Sequence, residues 1–267
     1  MRALMWLPNA KLCLAALLAF SLTAAPSRAQ APASTDDSED IEPLTRGPVH
    51  EAFAEPVTFN PEPGLIAPQA PPEPIEELPP DEKPDGDNVV WIPGYWSWDD
   101  DSSGFLWVSG FWRVAPPNMN WIPGYWRQTD QGWQWISGFW QPIQTRELEY
   151  IPETPPRSLE VGPSIPAPSS DYIWVSGHWA RRDNRYLWRP GRWERCYEDW
   201  IWTPAHYVWT PCGYVFVPGY WDYPIQGRGV LFAPARFSHG YLSHPRRYRC
   251  YTPSVVIVSI YLTDSLF

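Results

Sequence analysis

Tryptophan is the residue whose type and placement in this chain could do chemistry. There are 19 in 267 residues, and all but Trp6 fall between 91 and 221. Most come in pairs five apart around a glycine: WIPGYW at 91–96 and again at 121–126, WVSGFW at 107–112, WISGFW at 135–140, WVSGHW at 174–179 and WRPGRW at 188–193. An indole offers a flat apolar face for stacking and a single N–H donor. Every base after Lys83 is arginine, and Arg181, Arg182, Arg185, Arg189, Arg192 and Arg195 crowd the sixth copy. Guanidinium groups stack on indoles for roughly 0.5–2 kcal/mol each. The candidate ligand-binding surface is therefore Trp91, Trp96, Trp107, Trp112, Trp121, Trp126, Trp135, Trp140, Trp174, Trp179, Trp188, Arg189, Arg192 and Trp193. Exposed, such rows would stack on an anionic or sugar polymer. Turned inward, the arginines would cap aromatic ladders or pair with Glu194, Glu198 and Asp199.

Catalytic chemistry finds little support. The sequence holds no G-x-S-x-G, Walker loop, dinucleotide fingerprint or H-E-x-x-H. His50, His178, His206, His239 and His244 are scattered, and the last two are too loosely spaced to suggest a metal site. Asp99, Asp100 and Asp101 read as a solvated acidic turn rather than a calcium site. We expect no enzyme activity, no cofactor and no metal. Cys13 lies in the N-terminal apolar run, leaving Cys196, Cys212 and Cys250 as disulfide candidates. Their odd number allows one bridge and a free thiol, or three incidental thiols, and no C-x-x-C spacing occurs.

The elements that must position the indoles are written in the spacing. Motifs start at 91, 107, 121 and 135, then at 174, 188, 202, 216 and 232, the last three as WTPAHY, FVPGYW and FAPARF. Most steps are 14 residues, with turn formers such as DDDSSG (99–104), TDQG (129–132) and RDN (182–184) between motifs. Flanking Trp, Tyr, Phe, Val and Ile favour strands. Each repeat divides into a strand of about nine residues and a turn of about five, and successive strands run antiparallel. Residues five apart on a regular strand point to opposite faces. A β-bulge at the Pro-Gly, with glycine taking unusual backbone angles, would bring both indoles to one face. A hairpin turn at x-P-G-x is the competing arrangement. Pro-Gly type II turns suit two-residue hairpins poorly, and Ser replaces Pro at 109, 137 and 176, so the bulge is preferred.

Tyr186-Leu187-Trp188-Arg189-Pro190-Gly191-Arg192-Trp193 carries a resemblance to the YXWGXW, or WXXGXW, repeat family of exported bacterial proteins, and the likeness covers roughly 91–221. It implies repeat architecture and export, and no catalytic residues.

The chain divides by composition. Residues 1–29 read as a signal peptide: Arg2 and Lys11, an apolar run at 12–25, and Ser27-Arg28-Ala29 before Gln30. That run is short of the ~20 residues that span a bilayer, so no transmembrane segment is expected in the mature chain. Residues 30–88 hold fifteen acids against Arg46 and Lys83, with many prolines, and read as a disordered spacer. Residues 89–140 form the first repeat block, 141–170 a second Pro-rich linker, 171–237 the second block, and 238–267 a strand-like tail with SVVIVSIYL at 254–262. The chain stops at TDSLF directly after that run, as a truncated sequence would. Residues 89–267 balance fifteen acids with fifteen arginines, so the net charge of −10 describes the leader. No basic field attracts nucleic acid.

The fold expected is all-β: an antiparallel meander of 14-residue aromatic repeats in two blocks, with a disordered Pro/Glu-rich leader and linker. The expected role is an exported structural scaffold of the periplasm, outer envelope or cell surface. The alternative is an aromatic-surface binding module for cell-wall or matrix polysaccharide, with surface proteins as the other candidate partners.

Overall fold

The computed structural model describes residues 40–55 and 57–250. The signal-like start, the first ten residues of the leader and the apolar run 254–262 lie outside the described residues.

Aromatic and β-branched segments separated by turn formers fold here as strands. They make four antiparallel hairpins, at 89–114, 119–142, 172–195 and 201–222. Each hairpin lays two motif copies on one another. In the first, Val89–Ile92 pairs with Phe111–Val114 and Tyr95–Asp99 with Gly104–Val108, which sets Trp91 opposite Trp112 and Trp96 opposite Trp107. The second hairpin repeats this with Trp121 opposite Trp140 and Trp126 opposite Trp135. The third does so with Trp174 opposite Trp193 and Trp179 opposite Trp188. In the fourth, Trp202 faces Trp221, and Tyr207 faces Phe216 where the motif has tryptophans. Hairpin turns follow their residues: Asp183 and Asn184, at φ of 50° and 59°, supply the left-handed pair that a two-residue turn prefers.

The break at Pro-Gly is not a bulge. Trp91↔Trp112 and Ile92↔Phe111 on one side and Tyr95↔Val108 and Trp96↔Trp107 on the other keep one register. Two residues drop out of pairing on both strands at the same level, so nothing is inserted, and the strands bend together. The motif glycines are absent from the residues at positive φ. They serve close approach instead, as described below.

The fold is all-β, antiparallel apart from the parallel pair Glu77–Leu78 with Tyr248–Arg249, with two short helices among the described residues, Glu51–Ala54 and His239–Ser243. No described helix is long and apolar enough to cross a membrane. The motif strands pair within each hairpin, hairpin one also pairs with Gly229–Val230 and Ala235–Phe237, and neighbouring hairpins meet through side chains. Trp126 Nε1 donates to the Trp96 carbonyl at 2.8 Å, seating the second hairpin on the first. Tyr207 Oη donates to the Trp179 carbonyl at 2.9 Å, the same contact between the fourth and third.

The leader departs from the disorder expected of it. From residue 40 it lies on the repeats. Ile41–Pro43 pairs with Ala235–Phe237, Ile66–Ala67 with strand Gly132–Ile136, and Glu77–Leu78 with Tyr248–Arg249. Ala52, Phe53, Val57, Ala67 and Ile75 are buried. Average composition hides these spaced apolar anchors, and the intervening prolines have little backbone entropy to lose. The linker 141–170 likewise docks: Ile151 is buried and exchanges two backbone hydrogen bonds with Tyr214, at 2.9 and 2.7 Å.

One core joins hairpins one, two and four with the leader, around Phe53, Trp107, Phe111, Trp140 and Val217. Arg113 is buried at its centre. Its Nη2 donates to both Asp222 oxygens at 2.9 and 2.7 Å, Nε donates to the Ala52 carbonyl at 2.8 Å, and Nη1 to the Val114 carbonyl at 2.6 Å. Its guanidinium stacks 5.2 Å from the Trp140 ring. The third hairpin packs on the fourth through Tyr186–Tyr207 and His178–Phe216 ring contacts.

Candidate functional site

The Trp pairs form edge-to-face or tilted ring contacts across each hairpin, at 5.2–5.4 Å between centroids. None of the candidate tryptophans is exposed. Trp96, Trp107, Trp135 and Trp140 are buried, and Trp91, Trp112, Trp121, Trp126, Trp174, Trp179, Trp188 and Trp193 are half-buried. Arg189 and Arg192 are exposed and stack on no indole among the described residues, and Arg192 pairs with Glu194 at 3.0 Å. Trp107 and Trp112 reach one segment of chain, and Trp174 and Trp179 another, so the two indoles of each of these strands share a face. Those segments identify the functional unit.

In three hairpins a glutamate from the leader or linker enters the bend and is held by the first indole and the glycine amide of one motif. Glu77 accepts from Trp107 Nε1 at 2.7 Å, from Gly110 N at 2.9 Å and from Gly94 N at 3.0 Å. Glu51 accepts from Trp135 Nε1 at 2.7 Å and Gly138 N at 2.9 Å. Glu160 accepts from Trp174 Nε1 at 3.1 Å, from Gly162 N at 2.6 Å and from Gly177 N. Where the carboxyl is ionised, bonds of this kind are charge-assisted and strong.

The second indoles bind the chain on either side. Trp96 Nε1 donates to the Glu73 carbonyl at 3.0 Å and Trp112 Nε1 to the Pro80 carbonyl at 2.7 Å, flanking Glu77. Trp179 and Trp193 donate to the carbonyls of Arg157 and Ile165 at 2.9 and 3.0 Å, flanking Glu160. The segments PPEPIEELPP and PPRSLEVGPSIP are thus straps across the tryptophan faces of hairpins one and three. Extended Pro-rich chain leaves its carbonyls unpaired, and indole N–H groups satisfy them.

Glycine at the fourth motif position is a steric requirement. A Cβ on Gly138 would lie 2.3 Å from Trp121 Cζ2 and 2.7 Å from the Ile122 carbonyl oxygen. The relation is reciprocal within a hairpin: the glycine of one motif underlies the first indole of the other, as Gly177 does Trp188 and Gly191 does Trp174. Only the fourth hairpin breaks it on one side, and both partners change together. Ala205 stands for glycine and Phe216 for the indole it would meet.

Electrostatics follow burial. Desolvation pushes the Glu51 carboxyl up to about 7, against the donations from Gly138 and Trp135. Glu77 is also raised, chiefly by burial. At Glu160 burial again pushes upward, but the amide and indole donors together leave it below its ordinary value. The disulfide candidates do not pair: Cys196, Cys212 and Cys250 are free thiols. Cys212 is exposed at the tip of the fourth hairpin, whereas buried Cys250 donates to Glu77 Oε1 at 3.3 Å, and burial raises its thiol.

Glu51, Glu77 and Glu160 were not among the residues singled out in the sequence. The signal available was weak: a glutamate between prolines, in a stretch where glutamates and prolines abound.

No curated protein and no solved structure matches the chain. The model of the WXXGXW repeat, in two copies, matches residues 86–113, 117–141, 170–194 and 199–222. Each match coincides with one hairpin, so the unit repeated is a pair of motifs and not the single motif. With this unit present four times, the chain belongs to the WXXGXW repeat family.

Proposed function

We propose that the protein is a non-catalytic, exported scaffold element of the cell envelope or surface, made rigid by hairpins that clamp glutamate-bearing straps of their own chain. The observation that carries this reading is the direction of the indoles. Each motif tryptophan packs against its cross-strand partner, and those of hairpins one and three spend their N–H groups largely on the straps. A sugar-stacking platform needs aromatic faces open to solvent. The charge-neutral repeat region and the signal-like start support an exported protein that holds its shape rather than one that captures a polyanion.

The test is a tryptophan-fluorescence titration of the purified protein with peptidoglycan and with exopolysaccharide, in parallel with acrylamide quenching. We expect blue-shifted emission, weak quenching and no saturable response to either polymer. Saturable quenching by a polysaccharide would favour the binding-module reading. Retention of the protein in the cytoplasm on fractionation would contradict export.

A further inference from the structure

The two blocks are built alike, and one place filled by the leader in the first is a cavity among the described residues of the second. In block one, leader residue His50 sits between hairpins one and two. Its ring lies 5.2 Å from Tyr95, 5.1 Å from Phe111 and 6.0 Å from Trp121. Nδ1 accepts from Ala52 N at 3.1 Å, so Nε2 carries the proton and donates to the Pro93 carbonyl at 2.7 Å. The next residue, Glu51, supplies the carboxylate held by Trp135 and Gly138. The leader thus drives an imidazole and an acid into the seam between stacked hairpins.

The motif register gives the counterparts in block two: Ser176 for Pro93, His178 for Tyr95, Arg192 for Phe111, Trp202 for Trp121, Phe216 for Trp135 and Gly219 for Gly138. These six residues line a single cavity of about 220 Å³ between hairpins three and four. Among the described residues no leader segment enters it, and the linker that precedes block two crosses the tryptophan face of hairpin three through Glu160. Its chemistry has also changed. Two aromatic walls have become His178 and Arg192, and the Arg192 side chain is 61% exposed with Glu194 as its carboxylate partner among the described residues. The Trp202 Nε1 is buried with no hydrogen-bond partner among the described residues, as is that of its block-one counterpart Trp121. Phe216 removes the indole donor that holds Glu51 in block one, and Arg192, where block one has Phe111, adds a cationic donor to the cavity wall.

We propose that this seam between hairpins three and four is a binding site for the carboxylate side chain of an acidic segment from a partner protein, inserted as the leader is inserted in block one. The inference rests on the scaffold reading and deepens it by giving the scaffold an attachment point. Arg192, in the cavity wall, pairs with the incoming carboxylate. A segment with an acid next to a flat or apolar residue fits the remaining space.

The full-length mature chain would be titrated with the peptide GPVHEAFAEP, residues 47–56, followed by calorimetry and by intrinsic fluorescence. We expect saturable binding at one site. The same peptide carrying Glu51→Gln should bind at least tenfold more weakly, and so should the wild-type peptide against Arg192→Leu. Arg192→Lys should retain part of the affinity, and melting temperatures of the variants should match the parent, which separates site loss from unfolding. Absence of saturable binding, equal affinity for the Gln peptide, or indifference to Arg192→Leu would overturn the proposal. Saturation by free glutarate at the same concentrations as the peptide would overturn the inserted-segment assignment. The polysaccharide titration decides the scaffold reading separately, so the two can fail independently.

Discussion

A glycine amide and an indole N–H on one carboxylate make each clamp depend on single atoms. Gly138→Ala would force Cβ against Trp121 and the Ile122 carbonyl, both fixed by the hairpin. Overpacking of this kind costs about 1–3 kcal/mol, and urea unfolding should show at least the lower figure. Gly86→Ala supplies the comparison: nothing lies near its Cβ, but its φ of 127° strains any side chain, so its cost is conformational and leaves the clamps intact. The clamp acids carry their own pH signature. Glu51 is held at about 7 in the folded chain against 4.5 ordinarily, so the folded state keeps a proton that the unfolded state has lost. Its contribution is fully present below the unfolded value and declines as pH rises through the folded one, by about 3 kcal/mol in all. Glu160 acts oppositely: its folded value is depressed, so its contribution is present above the ordinary carboxylate range and fades on acidification. The difference between wild-type and Glu51→Gln unfolding free energies should therefore slope downward from about pH 4.5 to about pH 7. A flat difference across that window would show that the carboxyl is not desolvated as described.

The hairpin is the element that makes motif positions answerable to each other, and the fourth hairpin tests this. Ala205 occurs with Phe216, where other hairpins have Gly and Trp. Phe216→Trp alone should destabilise by about 1–3 kcal/mol, because the larger ring meets the Ala205 methyl. Adding Ala205→Gly should recover most of the loss, and a double-mutant cycle should give a coupling of about 1 kcal/mol or more. Additive effects would mean that the two positions do not meet. This pairing also marks the limit of what could be read beforehand. Strand composition, turn residues and the 14-residue step were visible because each is local. The common face of the two indoles was visible as a requirement, but its means was not. The 14-residue period does not say that motifs pair antiparallel two by two, so a one-sided bulge looked sufficient and glycine looked like a matter of φ. The strap glutamates were hidden for a different reason. Their meaning lies in contacts 14 to 87 residues away in sequence, and Glu77 has a neighbouring glutamate of the same type at 76.

At the scale of the molecule, one link between the two repeat blocks is ionic and buried. Arg113 comes from hairpin one and Asp222 from hairpin four, with the Ala52 carbonyl of the leader and the Trp140 ring of hairpin two completing the surroundings. Arg228 Nε adds a second cation 3.2 Å from Asp222. Removing one partner leaves a charge stranded in the core, whereas removing both leaves only a volume to fill. Asp222→Asn should cost about 3–5 kcal/mol, since the Arg113 guanidinium then lacks its counter-ion. Arg113→Met combined with Asp222→Leu should be far milder, near neutral to within about 2 kcal/mol, provided the Arg228 side chain turns outward. The consequence for the whole chain is cooperativity. With the link intact, calorimetry of residues 40–250 should give one transition, because hairpins one, two and four share a core. With Asp222→Asn, hairpins three and four, which retain their own Tyr186–Tyr207 and His178–Phe216 contacts, should unfold separately from hairpins one and two. A single unshifted transition in that variant would mean that the apolar core alone joins the blocks, and that the buried pair contributes nothing to their coupling.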